Sequence, residues 1–185
     1  YAFSNCSSLT QFSFDGTTSL SSIGEGAFLS NTSLNKWGTN SNNTISIPSG
    51  VTSIGQQAFA NETGITSVVI PASVTSVGEG SFRGCNALVN LNMPKVYGNK
   101  LGHIFGTESY SGSYVAENYY IPSTLTNVSI TAQEEIPAAA FKNCTSLTTV
   151  NIPTTTTSIG ESAFYHCTSL VSLNGTNVIN IPNSV

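Results

Sequence analysis

The cysteines and histidines are the side chains of this sequence best suited to metal binding or nucleophilic chemistry. They are Cys6, Cys85, Cys144, Cys167, His103 and His166. Zinc needs four well-placed ligands, often supplied in part by a Cys-x-x-Cys pair, and the sequence has no such pair. It also lacks the Gly-x-Ser-x-Gly elbow that exposes a serine nucleophile. These residue types therefore predict neither a metal centre nor a hydrolase.

The acidic residues do not form a catalytic or calcium-binding pattern. Glu25, Glu79 and Glu161 each follow an apolar residue and a glycine, which indicates solvated carboxylates in a recurring turn. Glu134 and Glu135 are neighbours, and adjacent side chains of an extended segment point in opposite directions. No calcium loop of spaced Asp or Asn ligands and no glycine-rich phosphate loop occurs. We expect no enzyme activity and no cofactor.

The composition indicates which partners and which location to expect for the protein. Only 8% of its 185 residues are charged, the net charge is −4, and the five basic residues form no run. A nucleic-acid backbone needs clustered positive charge, so nucleic acid is not an expected partner. No apolar run approaches the ~20 residues that span a bilayer, so membrane insertion is not expected either. A surface of Ser, Thr and Asn suits a secreted or cell-surface protein, whose signal peptide and anchor we expect to lie outside this sequence.

A phenylalanine recurs along the chain at a nearly fixed interval. The recurring residues are Phe3, Phe28, Phe59, Phe82, Phe105, Phe141 and Phe164. The interval from Phe59 to Phe82 is the same as that from Phe141 to Phe164, and several of the other steps carry insertions. A period of roughly 20–29 residues is typical of a solenoid in which each coil stacks on the next. The phenylalanine rings should then form one stacked column.

Each unit carries the same apolar pattern after its phenylalanine. Phe141 is followed by Leu147, Val150 and Ile152, and the last two occupy alternate positions, as a strand with one buried face requires. The second half of the unit reads V-T-S-I-G-x-x-A-F, which predicts a short extended segment, a glycine turn and a brief helical turn. We predict a strand-rich solenoid of the α/β class, with a parallel sheet of about seven stacked repeats and short 3₁₀ or helical turns.

These residues resemble BspA-type leucine-rich repeats, a family of bacterial and protist surface proteins. The segment SIGESAFYHCTSLVSL at 158–173 carries the motif, and six copies cover nearly the whole chain. The resemblance implies a leucine-rich-repeat solenoid, curved into a horseshoe or a gentler arc. It also implies a binding or adhesion role, without identifying a ligand.

Two insertions interrupt the repeats. The first, near 35–46, contains the only tryptophan, Trp37, which falls on an apolar strand position and should be buried. The second, near 106–120, is rich in tyrosine and should leave the solenoid as a hairpin-like excursion. We expect residues 1–185 to form one leucine-rich-repeat domain and to be part of a longer array.

The cysteines share one repeat position, the third after a phenylalanine. That position should point inward, which favours a ladder of buried free thiols because an unpaired cysteine behaves as a small buried hydrophobe. Cys6 and Cys85 belong to units about 14 Å apart, beyond the ~7 Å limit for a disulfide. Cys144 and Cys167 belong to adjacent units, and a bridge between them stays open.

Two surfaces are candidates for ligand binding. The first consists of the outward strand positions, represented by Asn90, Asn92, Thr149 and Asn151. Equivalent outward pairs are Gln11 and Ser13, Lys36 and Gly38, Ser67 and Val69, and Ser172 and Asn174. The second is the tyrosine-rich insertion, with Tyr110, Tyr114, Tyr119 and Tyr120, whose rings either bind a partner or cover the flank of the solenoid. The expected partner is an extracellular protein or glycan of a host or matrix; the alternative is a structural spacer with no ligand of its own.

Asn-x-Ser/Thr sequons recur at the same repeat phase, as at Asn5, Asn61 and Asn143. They are either a requirement of the repeat itself or acceptors for glycosylation in a eukaryotic secretory host.

Overall fold

The repeats form successive coils of a solenoid, seen here in a computed structural model that describes residues 1–14, 19–37, 43–107 and 119–175. The described strands are β1 Gln11–Phe12, β2 Ser22–Ile23, β3 Lys36–Trp37, β4 Thr44–Ser46, β5 Ser53–Ile54, β6 Ser67–Val69, β7 Ser76–Val77, β8 Asn90–Met93, β9 Asn127–Ile130, β10 Glu135–Ile136, β11 Thr149–Asn151, β12 Ser158–Ile159 and β13 Ser172–Asn174. Two 3₁₀ helices, Tyr97–Asn99 and Leu101–Phe105, lie between β8 and β9. The described part contains almost no other helix, as the repeat pattern predicts.

The main sheet contains six parallel strands in the order β13-β11-β9-β8-β6-β4. Equivalent residues of successive repeats are paired, so that Val68 is opposite Leu91 and Val128 is opposite Val150. These apolar residues are fully buried, because the period of two turns them all to the same side of the sheet. The predicted facing is therefore confirmed: Val150 lies in the core, and Thr149 and Asn151 lie outside it.

The V-T-S-I-G segments form a second set of short parallel strands. β2, β5 and β7 form a three-stranded sheet, and β10 pairs with β12. The glycines that follow β5, β7 and β12 lie against the backbone of the preceding coil: a Cβ on Gly55 would come within 2.5 Å of the amide nitrogen of Glu25. The sequence identified this residue as part of a turn. Its second role, which is to let two coils approach closely, becomes visible only when the coils are stacked.

The recurring phenylalanines stack in the interior. The rings of Phe28 and Phe59 lie 5.4 Å apart at 3°, and those of Phe59 and Phe82 lie 5.3 Å apart at 8°. Phe141 and Phe164 stack at 5.0 Å and 2°. The backbone follows the same column, since the amide of Phe59 donates a hydrogen bond to the carbonyl of Ser81 at 2.8 Å. The predicted column of rings is confirmed for these pairs.

The coil that contains Phe105 departs from the pattern. Phe105 is fully buried, and the amide of Phe82 still bonds to the carbonyl of Ile104 at 2.8 Å. The two 3₁₀ helices replace the second-sheet strand in this coil, so the described strands β7 and β10 are not paired with each other. The side chain of His103 substitutes for the missing strand, because its Nε2 lies 3.0 Å from the carbonyl of Val77. His103 therefore supports the backbone of β7.

One turn position of the repeat, the second residue after the phenylalanine, has left-handed backbone. Asn5, Asn61 and Asn143 occupy it, with φ of 58°, 63° and 63°. Asparagine tolerates this region better than other non-glycine residues. The asparagine of the repeated sequons thus has a structural reason to recur, independent of glycosylation.

Two expectations about the ends and insertions need correction. The strand β4 lies inside the stretch near 35–46 that the sequence assigned to an insertion, because Ile45 and Ile47 repeat the buried strand pattern. Cys6 was expected to point inward, whereas it is exposed in this structure, with its backbone amide donating to Asn31 Oδ1 at 2.8 Å. Trp37 is buried, as expected.

Candidate binding face

Twelve outward side chains of the six-stranded sheet form two columns, which we call the ladder face. The first column is Thr44, Ser67, Asn90, Asn127, Thr149 and Ser172, and the second is Ser46, Val69, Asn92, Ser129, Asn151 and Asn174. Neighbouring members of a column are separated by the strand spacing of ~4.8 Å. Eleven of the twelve carry a neutral hydroxyl or amide, and Val69 is the exception. The face therefore presents a regular array of hydrogen-bonding groups without charge.

Hydrogen bonds along the columns hold several of these side chains in place. The Asn127 amide nitrogen donates to Asn90 Oδ1 at 3.0 Å. In the second column, Asn151 donates to Ser129 Oγ at 3.0 Å, and Asn174 donates to Asn151 Oδ1 at 2.8 Å. In each case the later coil donates to the earlier one. An asparagine amide has two N–H groups and an oxygen with two lone pairs. Asn151 therefore keeps one N–H and one lone pair for a partner outside the sheet. Asn127 uses both N–H groups, the second on Thr126 Oγ1 at 3.1 Å, and can offer a partner only its oxygen.

The structure brings one predicted set of site residues together. Asn90, Asn92, Thr149 and Asn151 all lie on the ladder face, although Asn92, Thr149 and Asn151 are half-buried. The sequence reading missed Asn127 and Ser129, which occupy the centre of the face. The sequence does contain the pattern that identifies them: Leu125-Thr-Asn-Val128-Ser-Ile130, after the tyrosine-rich insertion, repeats the apolar spacing of the other strands.

The tyrosine set is not brought together in the same way. Tyr119 packs on Gly102, where an added Cβ would collide with its ring, and Tyr120 lies under the Arg83 guanidinium, 4.2 Å from the ring centroid. Tyr110 and Tyr114 lie outside the described residues. The two described tyrosines thus contact the flank of the solenoid rather than the ladder face.

The base of the tyrosine-rich excursion is anchored to the solenoid. Thr107 and Tyr119 form an antiparallel bridge, as expected where a hairpin-like segment leaves and returns. The hydroxyl of Thr107 donates to Glu79 Oε1 at 2.9 Å, and the amide of Tyr120 donates to the carbonyl of Gly106 at 3.0 Å. Glu79, predicted as a solvated turn carboxylate, therefore also holds one end of the excursion.

The cysteine position of the repeat forms a hydrogen-bonded column inside the protein. The Cys85 thiol donates to the carbonyl of Phe59 at 3.3 Å, and the Cys167 thiol donates to that of Phe141 at 3.0 Å. Asn31 and Glu62 occupy the same position in their coils and are fully buried. Glu62 Oε1 accepts the backbone amide of Asn31 at 2.9 Å, and Oε2 has no partner among the described residues. The inward direction of this position is confirmed for these buried members.

Burial raises the pKa of Glu62 to about 8, although hydrogen bonds from Asn31 act in the opposite direction. The unfolded chain releases this proton near the usual carboxyl pKa of 4.5, whereas the folded chain retains it up to about pH 8. The folded state therefore binds more protons between these values, and the free energy of unfolding should fall as the pH rises through that window.

We expect Glu62→Gln to weaken this pH dependence, because glutamine keeps the shape of the side chain and cannot ionise. The measurement is urea unfolding at several pH values between 4.5 and 8, compared with wild type. Glu161→Gln, at an exposed carboxyl, is the matched control and should keep the wild-type slope. A Glu62→Gln protein with the full wild-type pH dependence would show that the buried carboxyl does not cause it.

The two histidines, which were the other candidates for chemistry, make contacts with the backbone and with a neighbouring ring. His103 contacts a strand carbonyl, and the exposed ring of His166 stacks on Tyr165 with centroids 5.6 Å apart. Over the described ranges, no three side chains of His, Cys, Asp or Glu gather where they could hold a metal ion. Within those same ranges, no helix has the length and apolar character to cross a bilayer.

Stacked parallel strands, buried aliphatic columns and minimal helix define a leucine-rich-repeat solenoid. The model of the BspA type leucine rich repeat region matches residues 1–45, 37–132 and 113–185 with six copies. The chain therefore belongs to the BspA-type leucine-rich-repeat family. The family model finds one copy fewer than the seven phenylalanines suggested.

Solved structures of similar proteins come from several bacteria. A leucine rich cell surface protein of Faecalibacterium prausnitzii is 25% identical, with a TM-score of 0.45, and the match covers 94% of this chain and 43% of that protein. A Treponema pallidum leucine rich repeat protein is 20% identical, with a TM-score of 0.42 and coverage of 89% and 57%. The chain thus spans about half the length of these two relatives. Comparison with curated proteins gives no significant match.

Proposed function

We propose that this protein is a non-catalytic binding or adhesion module of a secreted or cell-surface protein, and that it recognises an extracellular protein or glycan through the ladder face. The observation that carries the proposal is the face itself: eleven neutral hydroxyl and amide groups on a regular grid, several of them fixed by side-chain hydrogen bonds.

The fixed amides favour recognition because the partner does not have to order them. Immobilising a free side chain at an interface costs about 0.5–1.5 kcal/mol, and Asn90, Asn127 and Asn151 are already held by neighbouring coils. Backbone amides of a protein and hydroxyl groups of a glycan are both neutral donors and acceptors, so they match the groups that this face offers. The membership of the chain in a family of surface-type repeat proteins supports the same role.

The tyrosine-rich excursion contributes at the flank in this proposal. Tyr120 is exposed and held by Arg83, and the excursion is fixed at its base by Glu79. An aromatic ring of few rotatable bonds beside a guanidinium suits the edge of an interface.

The second candidate is a structural spacer. It is favoured by the same amide ladder, since side chains that satisfy one another also stabilise a sheet face that meets only water. A spacer would bind nothing on a broad ligand array.

The test is an array of extracellular-matrix proteins and glycans, probed with wild type and two charge-matched variants. Asn127→Arg places a long cation at the centre of the ladder face, and we expect at least a tenfold loss of affinity for any ligand that the array identifies. Ser76→Arg places the same charge on β7 of the second sheet, at an exposed position, and should keep affinity within about twofold.

Circular dichroism would first establish that both variants fold. Loss of binding in both variants alike, or in neither, would contradict the assignment to the ladder face. An array with no ligand for wild type would favour the spacer.

A further inference from the structure

Two cysteines occupy equivalent positions in adjacent coils. Cys144 and Cys167 are one repeat apart, and the coils that carry them are in register, since Thr149 is opposite Ser172. The amide of Asn143 donates to the carbonyl of Tyr165 at 2.9 Å, immediately beside the two cysteines. Coils in this arrangement are ~4.8 Å apart, inside the range of roughly 4.4–6.8 Å that separates the Cα atoms of most disulfides.

The two thiols differ in access to solvent. The Cys167 thiol crosses the coil boundary and donates to the carbonyl of Phe141 at 3.0 Å, three residues before Cys144. Cys144 is only 1% exposed, whereas Cys167 is half-buried and next to the exposed side chain of His166. A reagent from solvent therefore reaches Cys167 first.

The two sulfurs are also chemically unequal. Donation from the Cys144 thiol lowers the pKa of Cys167, with further help from the Cys144 backbone amide, although burial acts in the opposite direction. The same hydrogen bond, together with burial, raises the pKa of Cys144. Because the thiolate is the nucleophile, Cys167 is the sulfur that reacts first.

The remaining cysteines have no cysteine beside them in the column. Cys85 lies next to Glu62 on one side, and the coil of Phe105 separates it from Cys144. Cys6 lies next to Asn31 and is exposed. These two thiols therefore provide internal controls for any reaction assigned to the pair.

We propose that Cys144 and Cys167 are an oxidisable pair that hydrogen peroxide converts into an intramolecular disulfide. The Cys167 thiolate attacks one oxygen of the peroxide, giving a sulfenic acid and hydroxide. The Cys144 thiol then attacks the Cys167 sulfur, the S–S bond forms, and the sulfenic oxygen leaves as water with the thiol proton. In total two thiols lose two hydrogens, and one peroxide becomes two waters.

The bridge would join two coils that are otherwise held by hydrogen bonds and packing. It closes a loop of one repeat between positions 144 and 167. Closing a loop of this size restricts the unfolded chain, and we expect Tm to rise by roughly 5–10 °C on oxidation. This inference is independent of the proposed ligand, because it concerns the interior of the solenoid.

The experiment treats the folded, reduced protein with stoichiometric hydrogen peroxide and blocks the remaining thiols with iodoacetamide. Trypsin cleaves after Lys142, and a glutamyl endopeptidase cleaves after Glu161, which separates Cys144 from Cys167. We expect peptides 143–161 and 162–185 to be joined and to separate on reduction, while Cys6 and Cys85 carry the alkyl group. The four titratable thiols should fall by two, and dithiothreitol should return Tm to its reduced value.

Cys6→Ser is the matched control and should still form the bridge, because that thiol lies in a distant coil. Cys167→Ala should abolish the bridge and the rise in Tm. Should Cys167→Ala fail to fold, the peptide map of wild type decides the question alone. Cys167 recovered as sulfinic acid with Cys144 alkylated, or disulfide formed only between chains through Cys6, would overturn the proposal.

Discussion

Phe59→Ala is expected to lower the free energy of unfolding by about 3–5 kcal/mol, which is the usual cost of removing a buried aromatic ring. Phe59 is fully buried and stacks on Phe28 on one side and on Phe82 on the other. Removing its ring therefore leaves a cavity between two rings of the column. The neighbouring coils cannot close this cavity, because backbone hydrogen bonds such as that from Phe59 to Ser81 fix their spacing.

Phe3→Ala is the matched control, since Phe3 stacks on Phe28 in the same column but is 39% exposed. We expect it to cost less than half as much. Urea unfolding followed by circular dichroism gives both values. Equal losses at Phe3 and Phe59 would show that position within the column does not determine the contribution of a ring.

Gly78→Ala is expected to destabilise the protein by roughly 1–3 kcal/mol or more, the range seen when atoms are forced into packed space. A Cβ on Gly78 would collide with the backbone of Gln56 and Gly55 in the preceding coil. Backbone atoms cannot move aside as a flexible side chain can. The methyl group must therefore push the two coils apart, which weakens the hydrogen bond from the Gly78 amide to the carbonyl of Ile54.

Gly24 provides a control at the same repeat position. It lies in an early coil, and a Cβ there would meet no described atom within 4 Å. Gly24→Ala should change the unfolding free energy by no more than about 0.5 kcal/mol. Thermal and urea unfolding of both variants make the comparison. A tolerated Gly78→Ala would mean that the coils are not as close as described.

The sequence predicted those features that repeat in every coil. Phe59, Val68 and Ile70 occupy positions at which an apolar residue recurs in successive repeats. Their burial could therefore be predicted from the period alone. The outward direction of Asn90 and Thr149 followed from the alternation of a strand. These predictions needed only local pattern and the assumption that equivalent positions share one environment.

Features that depend on contacts between particular coils were not predictable. The donation from Asn151 to Ser129 requires a register that no single repeat specifies. The 3₁₀ helix that interrupts the second sheet begins at Tyr97, whose hydroxyl donates to the carbonyl of Val74 at 2.9 Å across the coil boundary. Cys6 shares the repeat position of Cys85 but is exposed, so the shared position alone does not determine burial.

The proposed function depends on stacking in register. The strands that carry Asn90, Asn127 and Thr149 come from three different coils, separated along the chain by loops and an insertion. Their side chains form one face only because equivalent residues of successive coils lie side by side. Changes that move one coil relative to the next should therefore alter binding even when they are far from the ladder face.

A double-mutant cycle on the phenylalanine column tests the stacking most directly. Phe59→Leu and Phe82→Leu are combined and compared with the pair Phe59→Leu and Phe164→Leu, whose members lie in distant coils. We expect a coupling energy of about 0.5–1.5 kcal/mol for the stacked pair. For the distant pair, the two changes should add within about 0.5 kcal/mol. Equal coupling in both cycles, or none for Phe59 and Phe82, would contradict coils stacked in register.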